Sequence, residues 1–229
     1  MAEHKTTSKP ASSQEFDLQH SVDRAQDFYT KNKNIILFAL VAVVAIIGGT
    51  IGYKRFFKEP NEKKAQEAIF AAQNYLAVDS FKLALNGDGN TYGFLQVIDK
   101  YSGTKAGNLA KYSAGVCYVK LGEYQKGIDQ LKAFSSEDLV LQPLANGLIG
   151  DAYMELNKAD EAVSYYKKAG ASNNDLISPI YLLRAGLALE KSNKPQDAIA
   201  VYQEIKQKYP QTNEGREMDK YLARLGVVK

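Results

Sequence analysis

The feature that most constrains the fold is a repeat in the C-terminal part of the 229-residue chain. Three copies align without gaps on Gly115, Gly150 and Gly186, which stand 35 and 36 residues apart. A repeat of this length is typical of a solenoid of helical hairpins, in which each hairpin buries its apolar surface against its neighbours. The sequence therefore predicts an all-α fold for this region.

Each recurring position has a structural reason. The glycine and the small residue twelve positions later are expected where two antiparallel helices cross closely, because a larger side chain would push them apart. Between them stands a glycine or asparagine suited to a left-handed turn that ends the first helix. The small residues are Gly127, Ala162 and Ala198, the turn residues are Gly122, Asn157 and Asn193, and the large residues filling the spaces between hairpins include Tyr118, Tyr153, Leu131, Tyr166 and Tyr202.

These residues resemble the tetratricopeptide repeat, a 34-residue helix–turn–helix unit. The matches are glycine at position 8, Tyr at 11, Gly or Asn at 15, a small residue at 20, Tyr at 24 and, in the last copy, Pro210 at 32. The Trp usual at position 4 is replaced by Lys111, Asn146 and Leu182. The resemblance implies about three and a half to four hairpins and a capping helix. We expect these at 61–107 (a degenerate copy whose first helix runs from Asn61 to Leu85), 108–142, 143–178 and 179–212, with the cap at 213–226.

A second segment restricts where the chain resides. Residues 35–53 contain no charged residue, with Lys31 and Lys33 before them and Lys54 and Arg55 after them. As a helix they would extend ~28 Å, close to the ~30 Å hydrocarbon core of a bilayer. We therefore predict a single transmembrane helix at 35–53, preceded by a disordered tail at 1–14 and an amphipathic juxtamembrane helix at 15–34, and followed by the repeat domain at 54–229.

The membrane orientation and the packing of this helix stay open at this point. Residues 1–34 and residues 54–72 each carry five lysines and arginines, so the positive-inside rule favours neither orientation. Gly48 and Gly52 form a small-xxx-small pair that can admit a second helix.

The composition argues against catalysis and against metal or cofactor binding. His4 and His20 both precede the apolar segment, so the repeat domain has no histidine for a Ser-His-Asp or Cys-His arrangement. Cys117 is the only cysteine, and the other copies have Ala152 and Ala188 at its position, which favours a buried small residue. The net charge of +3, without a long basic patch, does not indicate nucleic acid.

The resemblance to tetratricopeptide repeats also indicates a binding groove for protein partners. In such solenoids positions 2, 5, 9, 12 and 13 of each first helix line the concave surface. Here they place in the groove Gly147, which has no side chain, and fourteen further residues: Leu109, Tyr112, Val116, Val119, Lys120, Leu144, Asp151, Met154, Glu155, Ile180, Leu183, Leu187, Glu190 and Lys191. The carboxylate clamp of some members is absent, since only Arg184 fits it. Whether the groove is open or filled by the domain's own first or last helix is not decided by the sequence.

The whole layout resembles the ancillary subunit family of the SecYEG translocon (YfgM-like), including the run Asn90-Thr91-Tyr92-Gly93. The resemblance implies a non-catalytic scaffold in the inner membrane, with the N-terminus in the cytoplasm and the repeats in the periplasm. Its partners would be translocon subunits, a periplasmic chaperone or emerging chains, besides membrane lipid. Two alternatives stay open: a structural protein that self-associates through Gly48 and Gly52 into homo-oligomers, and a cytosol-facing adaptor of inverted topology.

Overall fold

The computed structural model describes residues 13–227, with side chains from residue 22 onward, and divides the chain into two compact units. The units are Met1–Lys58 and Glu59–Lys229. All regular structure in the described part is helical, which confirms the all-α expectation. Most of the expected disordered tail, residues 1–12, lies outside the described residues.

The first unit is dominated by one long helix, α1, Ser13–Tyr53, followed by a π-helical turn, Lys54–Lys58. The expected boundary between residues 34 and 35 is therefore not a break in the helix. Apolar side chains along α1 are exposed, as at Phe38 and Ile46. Among the described residues, one helical run is long and apolar enough to cross a membrane, which makes α1 a candidate membrane span by length and composition.

The second unit is a series of helical hairpins. Its helices are α2 (Glu59–Ala77), α3 (Phe81–Asn86), α4 (Phe94–Tyr101), α5 (Lys105–Lys120), α6 (Tyr124–Ala133), α7 (Leu141–Glu155), α8 (Ala159–Gly170), α9 (Ser178–Lys191), α10 (Pro195–Lys208) and α11 (Asn213–Arg224). The hairpins α5/α6, α7/α8 and α9/α10 correspond to the three aligned copies, and α11 packs on α9 and α10. This is the expected solenoid with a final capping helix.

The turns inside the three hairpins confirm the expected left-handed residue. Gly122, Asn157 and Asn193 have φ angles of 76°, 56° and 57°. In each turn the next residue's N–H donates to a carbonyl five residues back, for example Lys158 to Tyr153 at 2.9 Å. These bonds satisfy carbonyls at the helix end that would otherwise lack a partner.

The close helix crossing at position 8 is also present. A Cβ on Gly115 would stand 2.5 Å from Leu131 Cγ, and one on Gly150 would stand 2.6 Å from Tyr166 Cδ1. The same relation holds between Gly186 and Tyr202. Each glycine is therefore required because the large residue at position 24 of the same hairpin lies directly over it.

The degenerate first copy differs from the expectation. The predicted single helix from Asn61 to Leu85 is wrong, because the chain turns at Asp79, whose φ is 55°. The Ser80 N–H donates to the Tyr75 carbonyl at 2.9 Å and ends α2, after which α3 begins at Phe81. The first copy thus has three helices, α2, α3 and α4.

Candidate binding face on the first helices

Of the residues predicted to line the groove, Gly147 is buried, and the other fourteen are all at least partly exposed. They lie on α5, α7 and α9, the first helices of the three hairpins, and we call them the first-helix face. The apolar members are half-buried except Ile180 and Leu187, which are 39% and 41% exposed. Lys120, Glu155 and Lys191, all at position 13, are exposed. The face is therefore accessible along all three helices.

The floor of the face is aromatic. The Tyr112 ring lies 5.4 Å from the Phe134 ring, and burial raises the pKa of Tyr112. The Tyr181 ring packs directly against Gly147, where a Cβ would overlap it, and stacks on the Tyr166 ring at 6.3 Å. The Tyr181 contacts join neighbouring hairpins, whereas Tyr112 and Phe134 belong to the same hairpin.

Asp151, one of the predicted groove residues, is fully engaged inside the domain. Its Oδ1 accepts a hydrogen bond from Tyr166 Oη at 2.8 Å, and Arg184 Nη1 contacts both carboxylate oxygens at 2.6 Å. Burial, together with the charge of Asp151, raises the pKa of Tyr166, so its hydroxyl remains a donor. The Arg184 guanidinium also lies 5.2 Å from the Tyr181 ring centroid, within cation–π range.

Glu190 repeats this arrangement in the next hairpin. Its Oε1 accepts from Tyr202 Oη at 2.5 Å and from Arg224 Nη2 at 2.6 Å. Arg224 in turn lies over the Tyr221 ring, with its central carbon 5.0 Å from the centroid. In each of these two arrangements, a first-helix carboxylate contacts a tyrosine on the second helix of its own hairpin. It also contacts an arginine on the following first helix or on the capping helix.

Among the three aligned copies, the paired first-helix carboxylate occurs only in those with a tyrosine at position 24. Position 24 is Tyr166 in the second copy and Tyr202 in the third, and the carboxylate stands at position 9 in one and at position 12 in the other. In the first copy position 24 is Leu131, and positions 9 and 12 are Val116 and Val119. A buried hydroxyl needs an acceptor, whereas a leucine does not, and this explains the pattern.

The sequence therefore assigned Asp151 and Glu190 to the groove without showing that both are paired with arginines. Arg184, the one residue that fits the clamp pattern, is occupied by Asp151. Tyr181, Tyr221 and Arg224 were not predicted as parts of the face. The signal available in the sequence was the coincidence of Tyr at position 24 with an acid at position 9 or 12.

The remaining residues predicted from the repeat pattern differ in how deeply they are buried. Tyr153 is 8% exposed, and its hydroxyl accepts from Lys132 Nζ at 2.7 Å, whereas Tyr118 is half-buried beside Lys126. Ala162 and Ala198 are fully buried, Gly127 is buried, and Pro210 is exposed just before α11. On α1, a Cβ at Gly48 or Gly52 would meet nothing within 4 Å.

Cys117 is fully buried in the core formed by α2, α3, α4 and α5. Burial raises the pKa of its thiol to about 11, so the reactive thiolate is disfavoured at neutral pH. Within residues 13–227, no group of three His, Cys, Asp or Glu side chains is arranged to hold a metal ion.

The comparison with protein-family models agrees with the repeat geometry. Residues 148–212 match the family model described as tetratricopeptide repeat, which covers most of the second and third copies. No curated protein matches the sequence. Among solved structures, the crystal structure of MamA protein is similar with a TM-score of 0.40 and 18% identity, covering 79% of this chain and 96% of that one.

Proposed function

We propose that this chain is a membrane-anchored, non-catalytic tetratricopeptide scaffold that binds protein partners at the bacterial Sec translocon, beside periplasmic chaperones. Tetratricopeptide domains generally bind proteins, and the binding surface here would be the first-helix face. α1 would anchor the scaffold in the inner membrane, with the second unit in the periplasm. The translocon assignment is supported by the resemblance in layout described above.

The observation that carries the proposal is the chemistry of the first-helix face. Nine of its fourteen residues are apolar, none of the fourteen is buried, and Asp151 and Glu190 are neutralised by Arg184 and Arg224. The remaining charges, Lys120, Glu155 and Lys191, all stand at position 13, toward the end of each first helix. An accessible surface with an apolar centre and a charged margin is typical of a protein interface.

Site-specific photocrosslinking in cells tests the proposal. A photoreactive amino acid at Leu183 or Tyr112 would report on the first-helix face, and one at Ser164, which is exposed on the second helix α8, is the matched control. We expect crosslinks to a translocon subunit or a membrane-anchored chaperone from the first two positions only. Absence of such partners at both positions would exclude the translocon assignment.

The orientation of the domain needs a separate measurement. Cys117 is too buried to report on it, so we would use Cys117→Ala with Ser164→Cys and an impermeant maleimide on cells with a permeabilised outer membrane. Labelling is expected for a periplasmic domain. Labelling only after rupture of the inner membrane would support the cytosol-facing adaptor instead.

Self-association through α1 is the second candidate function. It is supported by the open space around Gly48 and Gly52, which leaves their backbone available for close approach of another helix. Sedimentation of the full chain in detergent decides it: a monomer excludes it, whereas a dimer lost on Gly48→Leu and Gly52→Leu substitution supports it.

A further inference from the structure

The loops between the hairpins present apolar side chains to solvent in a repeated way. Asp138 and Asn174 stand five residues before Pro143 and Pro179, at the same repeat position. The Val140 N–H donates to Asp138 Oδ1 at 2.8 Å, and the Leu176 N–H donates to Asn174 Oδ1 at 2.9 Å. Each loop is thus held in a turn by its own side chain.

These turns direct large apolar side chains outward. Leu139, Val140 and Leu176 are 71%, 44% and 81% exposed, whereas the following residues, Leu141 and Ile177, pack against the core. The outward position is fixed by further bonds, since the Ser136 N–H donates to Gln142 Oε1 at 2.8 Å. Exposed apolar side chains on ordered loops are a common property of interaction sites.

The feature is confined to two adjacent loops. Both join the second helix of one hairpin to the first helix of the next, so they lie at the same edge of the solenoid. The corresponding connection after α10 has Tyr209, which is buried, and the one before α5 is Ser102-Gly103-Thr104. We call Glu137, Asp138, Leu139, Val140, Asp175 and Leu176 the loop edge.

The charge of the loop edge is negative. Glu137, Asp138 and Asp175 are exposed, and residues 134–140 and 171–177 contain no lysine or arginine. Hydrogen bonds from the Leu141 and Val140 N–H groups lower the pKa of Asp138, which keeps its carboxylate charged. Lys132 and Lys168, near the ends of α6 and α8, lie over the Tyr153 and Tyr165 rings.

We propose that the loop edge is a second protein-binding surface, separate from the first-helix face, and that it takes a basic amphipathic segment of a partner protein. Apolar side chains of that segment would contact Leu139, Val140 and Leu176, and its lysines or arginines would face the three carboxylates. A surface of anionic lipid fits less well, because the same carboxylates repel it.

Binding of the full chain in detergent to arrayed synthetic peptides tests this. The probes are a 15-residue helix-forming peptide of Leu and Lys and its Leu and Glu counterpart. We expect the first to bind, the second to bind far more weakly, and Leu139→Ser with Leu176→Ser to weaken binding about tenfold. Glu137→Gln with Asp175→Asn should weaken binding at low salt and flatten its salt dependence.

The control is Val78→Ser, at a position that is 69% exposed and lies outside both proposed binding surfaces. The detergent is the same for all variants, so differences between them report the protein surface. The proposal is overturned if loop-edge variants bind like the parent chain, if the acidic peptide binds equally, or if Val78→Ser causes the same loss.

Two further measurements distinguish a partner protein from a second copy of the chain and from lipid at the loop edge. If Leu139→Ser with Leu176→Ser instead abolishes a dimer in sedimentation, the loop edge contacts a second copy and the proposal is wrong. If a polarity-sensitive dye at Leu176→Cys, in a Cys117→Ala background, shifts to the blue in anionic but not zwitterionic nanodiscs, the occupant is lipid and the proposal is also wrong.

Discussion

At the scale of single residues, the glycine at position 8 is explained by one neighbour. A Cβ on Gly150 would stand 2.6 Å from both Cδ1 and Cε1 of Tyr166. The ring has little freedom to move away, because it is 4% exposed and its hydroxyl is bonded to Asp151. The glycine is therefore a steric requirement of the hairpin.

Gly150→Ala should consequently destabilise the domain by about 1–2 kcal/mol, since overpacking outweighs the gain of about 1 kcal/mol from better helix propensity. Urea denaturation followed by circular dichroism measures this. Gly103→Ala is the control, because its Cβ would meet nothing within 4 Å, and it should change stability by less than about 0.5 kcal/mol. An unchanged midpoint for Gly150→Ala would contradict the steric explanation.

The pairing of Tyr166 with Asp151 predicts a non-additive effect. Asp151→Val alone leaves a buried hydroxyl without its acceptor, and Tyr166→Leu alone removes a large buried ring. Together they recreate the Leu131 and Val116 combination of the first copy. A double-mutant cycle in urea should show a coupling of about 0.5–3 kcal/mol in favour of the double variant. Strictly additive losses would show that the pairing is incidental.

Burial of the Cys117 thiol predicts that the thiol is unreactive in the folded protein and that the stability of the fold depends on pH. Its pKa in the folded state is about 11, raised by burial, against about 8.5 in an unfolded chain. Because the folded state disfavours the thiolate, the associated stability is present below pH ~8.5 and is lost as the pH rises toward 11.

The checks are alkylation by iodoacetamide and thermal unfolding. Native protein should not be alkylated at pH 8, whereas protein in urea should be. From pH 8.5 upward, the melting temperature of the parent chain should fall relative to that of Cys117→Ala. Rapid alkylation of the native chain would contradict the burial of Cys117.

At the scale of helices, elements with a strong repeat pattern were predicted well and elements without one were not. The turn residues Gly122, Asn157 and Asn193 ended the first helices as expected. The break at Asp79 was missed because the apolar pattern continues through it, and the turn depends on one left-handed residue. The long helix α1 has no proline or glycine near residue 35, so its two predicted parts form one helix.

The capping helix α11 provides an element-scale prediction. Met218 is fully buried and Leu222 is 5% exposed, so α11 covers the last open side of the core. Met218→Ala should reduce the free energy of unfolding by about 2–5 kcal/mol, whereas Glu217→Ala, at an exposed neighbour, should have almost no effect. Equal, small effects in thermal unfolding would mean that α11 is not part of the cooperative fold.

At the scale of the whole molecule, the sequence predicted which first-helix residues are accessible but not how their charges are paired. Repeat register alone placed the fourteen residues on one accessible face. The ion pairs that neutralise Asp151 and Glu190 join residues 33 and 34 positions apart, the first between two hairpins and the second between a hairpin and the capping helix. Such pairs depend on how hairpins pack together, which register does not specify.

The most direct test of the account is a photocrosslinking scan of the second unit in cells. Probes at Tyr112, Leu144, Leu183 and Leu187 should give high yields of the same partner, and Leu183→Arg should suppress crosslinking from the other three positions. Probes at the exposed second-helix residues Asp129, Ser164 and Gln203 should stay at background. Uniform yields over both sets, or a maximum on the second helices, would contradict a binding function for the first-helix face.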